Sequence, residues 1–308
     1  MNKIYWLLLI AVNTILHPIQ AQSTSDLLKA ANNKVLFKNF KEAIPGLNKV
    51  IAAEKNAELL SRAFYLRGKA HAGLKLLKEA IADLDHSIQL MPENVEAINQ
   101  RGSILLEQDK PEEALQAFNK AIEKNITYAD AYINRSKALL KLNRLEEALE
   151  DIKKVVKASP NQVEPLLISA SVKKAMMDMN GALQDCNKAI DLDENETEAY
   201  RIRAEIRQAL GNYGAAVLDL NLAIEIDDSN EMLYFQLANT YFSSGDFKTA
   251  IKFYNKAILF NPKVAPFFLQ RAQAKQKMND KSGSCSDFSQ AEKLGSLQAA
   301  LLKKQFCK

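Results

Sequence analysis

The sequence predicts an all-α array of stacked helix pairs, on three observations. Small residues recur every 34 positions: Ala80, Ala114, Ala148, Ala182, Ala216, Ala250 and Ser284. A second column, Ser87, Ala121, Val155, Ala189, Ala223, Ala257 and Ala291, runs seven residues behind the first, two helical turns away. A fixed period with small residues in register marks a helical repeat. The clearest unit, residues 231–264, shows what repeats. Tyr234, Ala238 and Tyr241 fall on one face of a helix. Ser244, Gly245 and Asp246 form a turn. Ala250, Tyr254 and Ala257 fall on one face of a second helix, which Pro262 ends.

The first residues follow another pattern. Lys3 precedes an apolar run over residues 4–12, followed by Pro18 to Ala21 and then polar Gln22, Ser23, Thr24 and Ser25. This is the layout of a secretory signal, with cleavage expected after Ala21. Even extended to Leu16, the apolar stretch is shorter than the about 20 residues a membrane helix needs. The expectation is an exported protein, periplasmic or secreted, with no membrane span after cleavage. The single tryptophan, Trp6, leaves with the signal.

Repeat units are expected to start near residues 24, 61, 95, 129, 163, 197, 231 and 265, within an array over 22–295. Unit one is the loosest. Its small residue Ala43 lies 37 positions before Ala80, which places three extra residues in the loop around 52–58. Pro45 stands where its second helix runs, so a kink or a late start is expected there. Unit eight carries its turn at Lys281, Ser282 and Gly283. Beyond Gly295, residues 296–308 read as a last helix that Ser296 caps and that covers the open end of the stack.

With Tyr234, Ala238, Tyr241, Gly245, Ala250, Tyr254, Ala257 and Pro262 in place, and the small columns repeated along residues 24–291, the chain resembles the tetratricopeptide repeat family. The resemblance implies a right-handed superhelical solenoid of about eight helix-turn-helix repeats with a C-terminal capping helix. It also implies a concave groove lined by the first helices, where extended peptides or partner helices bind. On this chain that face carries Ile133, Leu140, Leu167, Arg201, Phe235, Asn239, Phe242 and Leu269. Phe235 and Phe242 leave two readings open: anchors for a partner, or a surface that neighbouring helices cover. The family's clamp for acidic C-terminal tails is incomplete here. Asn134 alone sits suitably, and Lys69, Asn99 and Ser103 do not complete it.

Comparing the units with one another predicts a contact. Arg67, Arg101, Arg135, Ser169, Arg203, Leu237 and Arg271 form one column. Sixteen residues on stand Asp83, Ala117, Asp151, Asp185, Asp219, Phe253 and Asp287. Four units pair Arg with Asp, and the only Leu meets the only Phe. An ion pair within each unit is expected, with Arg101 and Asp185 solvated or bonded elsewhere.

Composition excludes several classes of function. The formal net charge of +4 is small and interspersed, so no nucleic-acid stripe is read. Only His71 and His86 remain after cleavage. His71 reads as a satisfied interior histidine and His86 as a surface residue. No metal or phosphate motif is present. The stretch from Asp191 to Glu196 lacks the glycine and bidentate glutamate of a calcium loop. Asn125, Asn134 and Asn195 match the glycosylation pattern, which matters only in a eukaryotic secretory route. No catalytic residue, metal or cofactor is expected. Cys186 occupies a large packing column, while Cys285 and Cys307 pair as a disulfide in an oxidising compartment. The function read from these features is a non-enzymatic scaffold or adaptor for a protein or peptide. The alternatives are a structural or assembly part of a cell-envelope complex, with self-association left open, and a regulatory subunit of an envelope enzyme.

Overall fold

A computed structural model describes residues 23–307. The signal segment, its cleavage point and Trp6 lie outside the described residues. Seventeen helices and no strand are found among the described residues, which makes the chain an all-α repeat solenoid. The described residues divide into two compact units, with the boundary between Leu142 and Asn143.

The first unit contains α1 (Thr24–Leu36), α2 (Phe40–Ala53), α3 (Ala57–Gly73), α4 (Leu77–Leu90), α5 (Val95–Glu107), α6 (Pro111–Lys124) and α7 (Ala129–Lys141). The second contains α8 (Leu145–Ala158), α9 (Val163–Ala175), α10 (Met179–Leu192), α11 (Thr197–Ala209), α12 (Tyr213–Ile226), α13 (Glu231–Ser243), α14 (Phe247–Phe260), α15 (Ala265–Lys277), α16 (Lys281–Lys293) and α17 (Leu297–Phe306). The small columns are buried in both. Ala80, Ala114, Ala182, Ala216 and Ala250 have no exposed surface. A methyl group at these places lets two helix backbones approach, and Leu84, Phe118, Tyr254 and Phe288 fill the remaining space to full burial.

Each turn from a first to a second helix uses one residue in the left-handed region. Gly211 and Gly245 do so freely, with φ of +77° and +89°. Lys38, Lys75, Asp109, Asn143, Met177 and Asn279 adopt it at some cost. That places the turn of unit eight at Asn279, not at residues 281–283. Lys281 starts α16, and Gly283 donates its N–H to the Asp280 carboxylate at the helix cap, 2.8 Å away. Unit one corrects two further expectations. Its three extra residues do not lengthen a loop. They add a turn to the start of α3, which has 17 residues where other first helices have 13. Nor does Pro45 delay α2, which begins at Phe40 and contains the proline.

The Arg–Asp column locks helix pairs. Arg67, Arg203 and Arg271 each grip the aspartate sixteen residues on with Nε and Nη2, at 2.6–3.2 Å. Asp83, Asp219 and Asp287 are buried, so these are desolvated bidentate contacts. Arg135 falls in the first unit and Asp151 in the second. Two partners were not read from the sequence. A second basic side chain, twelve residues before the aspartate, reaches the same carboxylate: His71 at 2.8 Å from Asp83, Arg207 at 2.7 Å from Asp219 and Lys275 at 2.8 Å from Asp287. Asp185, which lacks an arginine, takes Lys173 at 2.6 Å. The remaining arm of each arginine reaches back to the preceding second helix. Arg67, Arg135, Arg203 and Arg271 donate to Asn48, Asn119, Asn187 and Asn255 at 2.6–2.8 Å, and Arg101 to Asp85 at 2.7 Å. One guanidinium therefore ties three helices.

At the C-terminus, α17 returns along α16 after a turn at Gly295, φ +94°. Ser296 caps it by accepting the Ala299 N–H at 3.2 Å. Cys285 and Cys307 are joined, with Cα atoms 5.7 Å apart. The outer side of α17 leaves Leu297 and Leu301 exposed.

Candidate functional site

The face expected to bind is carried in the second unit by α9, α11, α13 and α15. Leu167, Arg201, Phe235 and Leu269 occupy one register position on these helices. Leu167 and Leu269 are buried, so they belong to the packing of the helix pairs within the second unit and offer no free surface. Phe235 is half-buried. Its ring lies 4.8 Å from that of Phe267 and 5.8 Å from that of Tyr254. Phe242 meets Phe247 edge-on at 5.3 Å. Neighbouring helices therefore cover much of both rings, the second of the two readings left open. Asn239 accepts a hydrogen bond from the Tyr254 hydroxyl at 2.7 Å, so its carbonyl oxygen is engaged within its own helix pair. Of the two residues expected on this face in the first unit, Ile133 is buried and Leu140 half-buried.

What this face presents instead is a polar network across successive first helices. Arg201 binds Glu198 and Glu205 on its own helix. Its guanidinium pKa is raised, chiefly by the hydrogen bonds to Glu198. Glu205 also receives Lys174 from α9 and the Gln236 amide from α13, the latter at 2.7 Å. Three consecutive first helices thus meet at one carboxylate. Further along, Thr240 donates to the Gln208 carbonyl at 3.0 Å and the Gln208 amide donates to Ser243 at 3.3 Å. Between them lies a cleft of about 180 Å³, bounded by Arg201, Glu205, Gln208, Gln236 and Asn239. The Gln236 side-chain oxygen, Oε1, is buried here and accepts no hydrogen bond among the described residues. Such an atom carries a desolvation cost of about 1–3 kcal/mol until a donor reaches it.

The sequence places Arg201, Glu205 and Gln208 together on this face of α11 and leaves Gln236 unmarked. The Gln236 column mixes Leu66, Asn134, Ile168 and Ile202 with Gln100, Gln236 and Gln270, so no single residue type marks it. In the first unit, three of the four residues weighed for a tail clamp, Asn99, Ser103 and Asn134, come together but bond to each other, while Lys69 lies over the Tyr65 ring. The Asn134 amide donates to Asn99 at 3.1 Å and to Ser103 at 3.2 Å. His71, bonded to Asp83, and exposed His86 stand where the sequence places them. No group of three or more histidines, cysteines or carboxylates fit to hold a metal occurs among the described residues. No helix among them is long and apolar enough to cross a membrane.

Comparison with known proteins agrees with the repeat geometry. Sequence profiles of the tetratricopeptide repeat match residues 99–163 and 232–264. No curated protein matches the chain. Among solved structures, a tetratricopeptide repeat protein from Parabacteroides merdae superposes with a TM-score of 0.65 at 21% identity, over 80% of this chain and 99% of that one. A thermophilic tetratricopeptide repeat protein of Thermus thermophilus gives 0.55 at 21% identity, over 58% of this chain and 98% of the other. The Cut9–Hcn1 hetero-tetramer of the APC/C gives 0.66 at 13% identity. There 94% of this chain is covered, and the chain spans 57% of its counterpart's length. At these identities the likeness concerns the fold. With two stretches matched in sequence and the remaining helix pairs repeating the same unit, the chain is a tetratricopeptide repeat protein.

Proposed function

We propose that this protein is a non-enzymatic interaction scaffold that holds an extended segment of another protein along the first-helix face of its second unit. The observation that carries the reading is the side-chain oxygen Oε1 of Gln236, buried in the wall of a polar cleft with no donor reaching it among the described residues. An extended segment offers backbone N–H groups of the kind that would satisfy it. Gln208 beside it supplies a complementary amide. Phe242, at the edge, offers apolar contact.

We further propose that the protein is exported. The charged, apolar and small segments of residues 1–21 support this, as does the pairing of Cys285 with Cys307, which an oxidising compartment favours. The experiment is capture of partners from a cell-envelope extract by the mature protein and by a Gln236→Leu variant. The reading expects a defined partner that the variant loses while keeping its helical circular dichroism. A folded variant that captures the same partner equally well overturns it.

One observation favours a second reading, assembly through the second helices. Leu218, Leu222 and Ile226 form an exposed stripe on α12. Leu222 stands in a column that otherwise holds only polar residues, His86, Lys120, Lys154, Lys188, Lys256 and Gln290. Loss of partner capture on Leu222→Lys, with Gln236→Leu silent, selects that reading.

A further inference from the structure

The first unit holds a separate pocket whose chemistry differs from that of the second. It is a cavity of about 400 Å³ between the starts of α3 and α5. Its inner wall is Leu66, Met91 and the ring of Tyr65. It also carries Glu58, Glu93 and Glu96 with Arg62, and Lys69 lies over the Tyr65 ring at 5.5 Å. Glu93 is engaged by Lys124 at 2.7 Å. No hydrogen bond or ion pair reaches the side chains of Glu58 and Glu96 among the described residues, and both are exposed.

Tyr65 reports the local field. Its phenol pKa is pushed up to about 12, first by burial and then by the charges of Glu96 and Asp130. Asp130, on α7, adds a further negative charge beyond the pocket wall. The Tyr65 hydroxyl likewise has no hydrogen-bond partner among the described residues. In a chain whose formal net charge is +4, this is a local excess of unpaired carboxylates around an apolar shaft.

First-turn glutamates also complement a helix dipole, and Glu58 and Glu96 lie in the first turns of α3 and α5. That role needs neither a cavity nor an open phenol. The combination fits a long side chain with an aliphatic stem and a cationic head. The stem would lie on Leu66 and Met91. The head would meet Glu58, Glu96 and the Tyr65 oxygen, which a planar guanidinium can bridge with several donors at once.

We propose that this pocket binds an arginine side chain of a partner protein. The proposal adds to the scaffold reading a second contact point and a stated chemistry, and it rests on that reading only for the identity of the ligand as a protein.

The test uses N-acetyl-arginine methylamide as the probe and the full mature protein, followed by amide NMR shifts in buffer of low salt. The expected result is saturable shifts confined to the neighbourhood of Tyr65, Leu66 and residues 91–96. The citrulline analogue, isosteric and uncharged, should bind about tenfold more weakly, the loss expected when a charged hydrogen-bonding head is removed. A Glu58→Gln/Glu96→Gln variant should lose about the same factor with the rest of its spectrum unchanged. Equal binding of arginine and citrulline, shifts that scatter or do not saturate, or unchanged affinity in the variant would each overturn the proposal. A lower melting temperature in that variant with arginine affinity retained assigns these carboxylates to the helix dipole alone. The outcome is independent of Gln236: a pocket that binds arginine in a protein that captures no partner leaves this inference standing and removes the scaffold reading.

Discussion

Tyr241 lies flat on Phe253, with ring centroids 5.5 Å apart and planes 3° from parallel. In neighbouring helix pairs the same two positions hold a cation and a carboxylate: Arg207 with Asp219 and Lys275 with Asp287. Leu237 completes the apolar version, buried in the same cluster as both rings. The helix pair thus has two interchangeable locks at one place. One is a buried charge triad and the other a stacked apolar triad.

The interchange can be tested. Asp219→Ala leaves Arg203 and Arg207 facing each other without a carboxylate. The expected loss in urea unfolding is about 3 kcal/mol, the low end for breaking a buried pair because the guanidiniums keep some contact with water. Replacing all three residues with the apolar set, Arg203→Leu, Arg207→Tyr and Asp219→Phe, should recover most of that loss. If the triple variant is no more stable than Asp219→Ala, the two locks are not equivalent.

Much of this lock was legible in the sequence. The Arg and Asp columns covary within the chain itself, and the simultaneous change to Leu237 and Phe253 fixes which helices pair. The second partner was hidden because its column reads His71, Leu105, Leu139, Lys173, Arg207, Tyr241 and Lys275, with no single residue type to follow. The turn residues were hidden for a related reason. A periodic scan notices Gly211 and Gly245, but Lys38, Lys75 and Met177 adopt the same conformation under tertiary constraint, and nothing in their side chains announces it. The candidate site was legible least. Phe235 and Phe242 stand out as large apolar residues on the expected face, yet burial against Phe267, Tyr254 and Phe247 depends on the rotation of one repeat on the next. One-dimensional spacing does not contain that rotation.

Close packing sets a second expectation. A Cβ on Gly102 would lie 2.5 Å from the Phe118 ring, which is fully buried. Alanine favours a helix by about 1 kcal/mol over glycine. Forcing the ring aside costs about 1–3 kcal/mol. Gly102→Ala should therefore be destabilising overall. Gly46 is the internal comparison, since a Cβ there has its nearest neighbour, Ala31, at 3.9 Å. Gly46→Ala should stabilise the protein by up to about 1 kcal/mol. Thermal melts of the two variants moving in the same direction would contradict this account.

Cys186 predicts a response to pH. It has no exposed surface, and burial pushes its thiol up to about 12 from an ordinary value of 9.0. Above the ordinary value the unfolded chain gives up this proton while the folded chain keeps it. The unfolded state then binds fewer protons, so stability falls as pH rises from about 9 towards 12, by up to about 1.4 kcal/mol per unit. Between pH 8 and pH 10, the native protein should lose about 1 kcal/mol more than Cys186→Ala in urea unfolding. Equal losses would show that the thiol contributes nothing to the alkaline limb. In the folded protein at pH 8 the thiol should also be inert to disulfide reagents and react only on unfolding.

The last prediction concerns the C-terminal end. Few contacts hold α17: Ala299 is its one buried residue, and Leu297 and Leu301 point to solvent. Lys303 adds a surface ion pair with Glu292 at 2.8 Å, worth less than about 1 kcal/mol. The covalent link between Cys285 and Cys307 closes a loop with a sequence separation of 22 residues. In the chain-entropy account, a loop of this size stabilises the folded state by about 3 kcal/mol. Apart from the surface ion pair, only Ala299 and part-buried Leu302 anchor the helix, so the disulfide should govern how firmly α17 stays docked. Replacing both cysteines by serine should raise amide hydrogen exchange throughout α17 and at Phe268, Leu269 and Phe288, which pack in the cluster it covers. Exchange in α9 to α13 should stay unchanged, because each helix pair of a repeat array depends mainly on its neighbours. Protection of α17 that survives in the double variant would show that capping by Ser296 and burial of Ala299 suffice. Loss of protection spreading back to α9 would show instead that the end of the array governs the whole second unit.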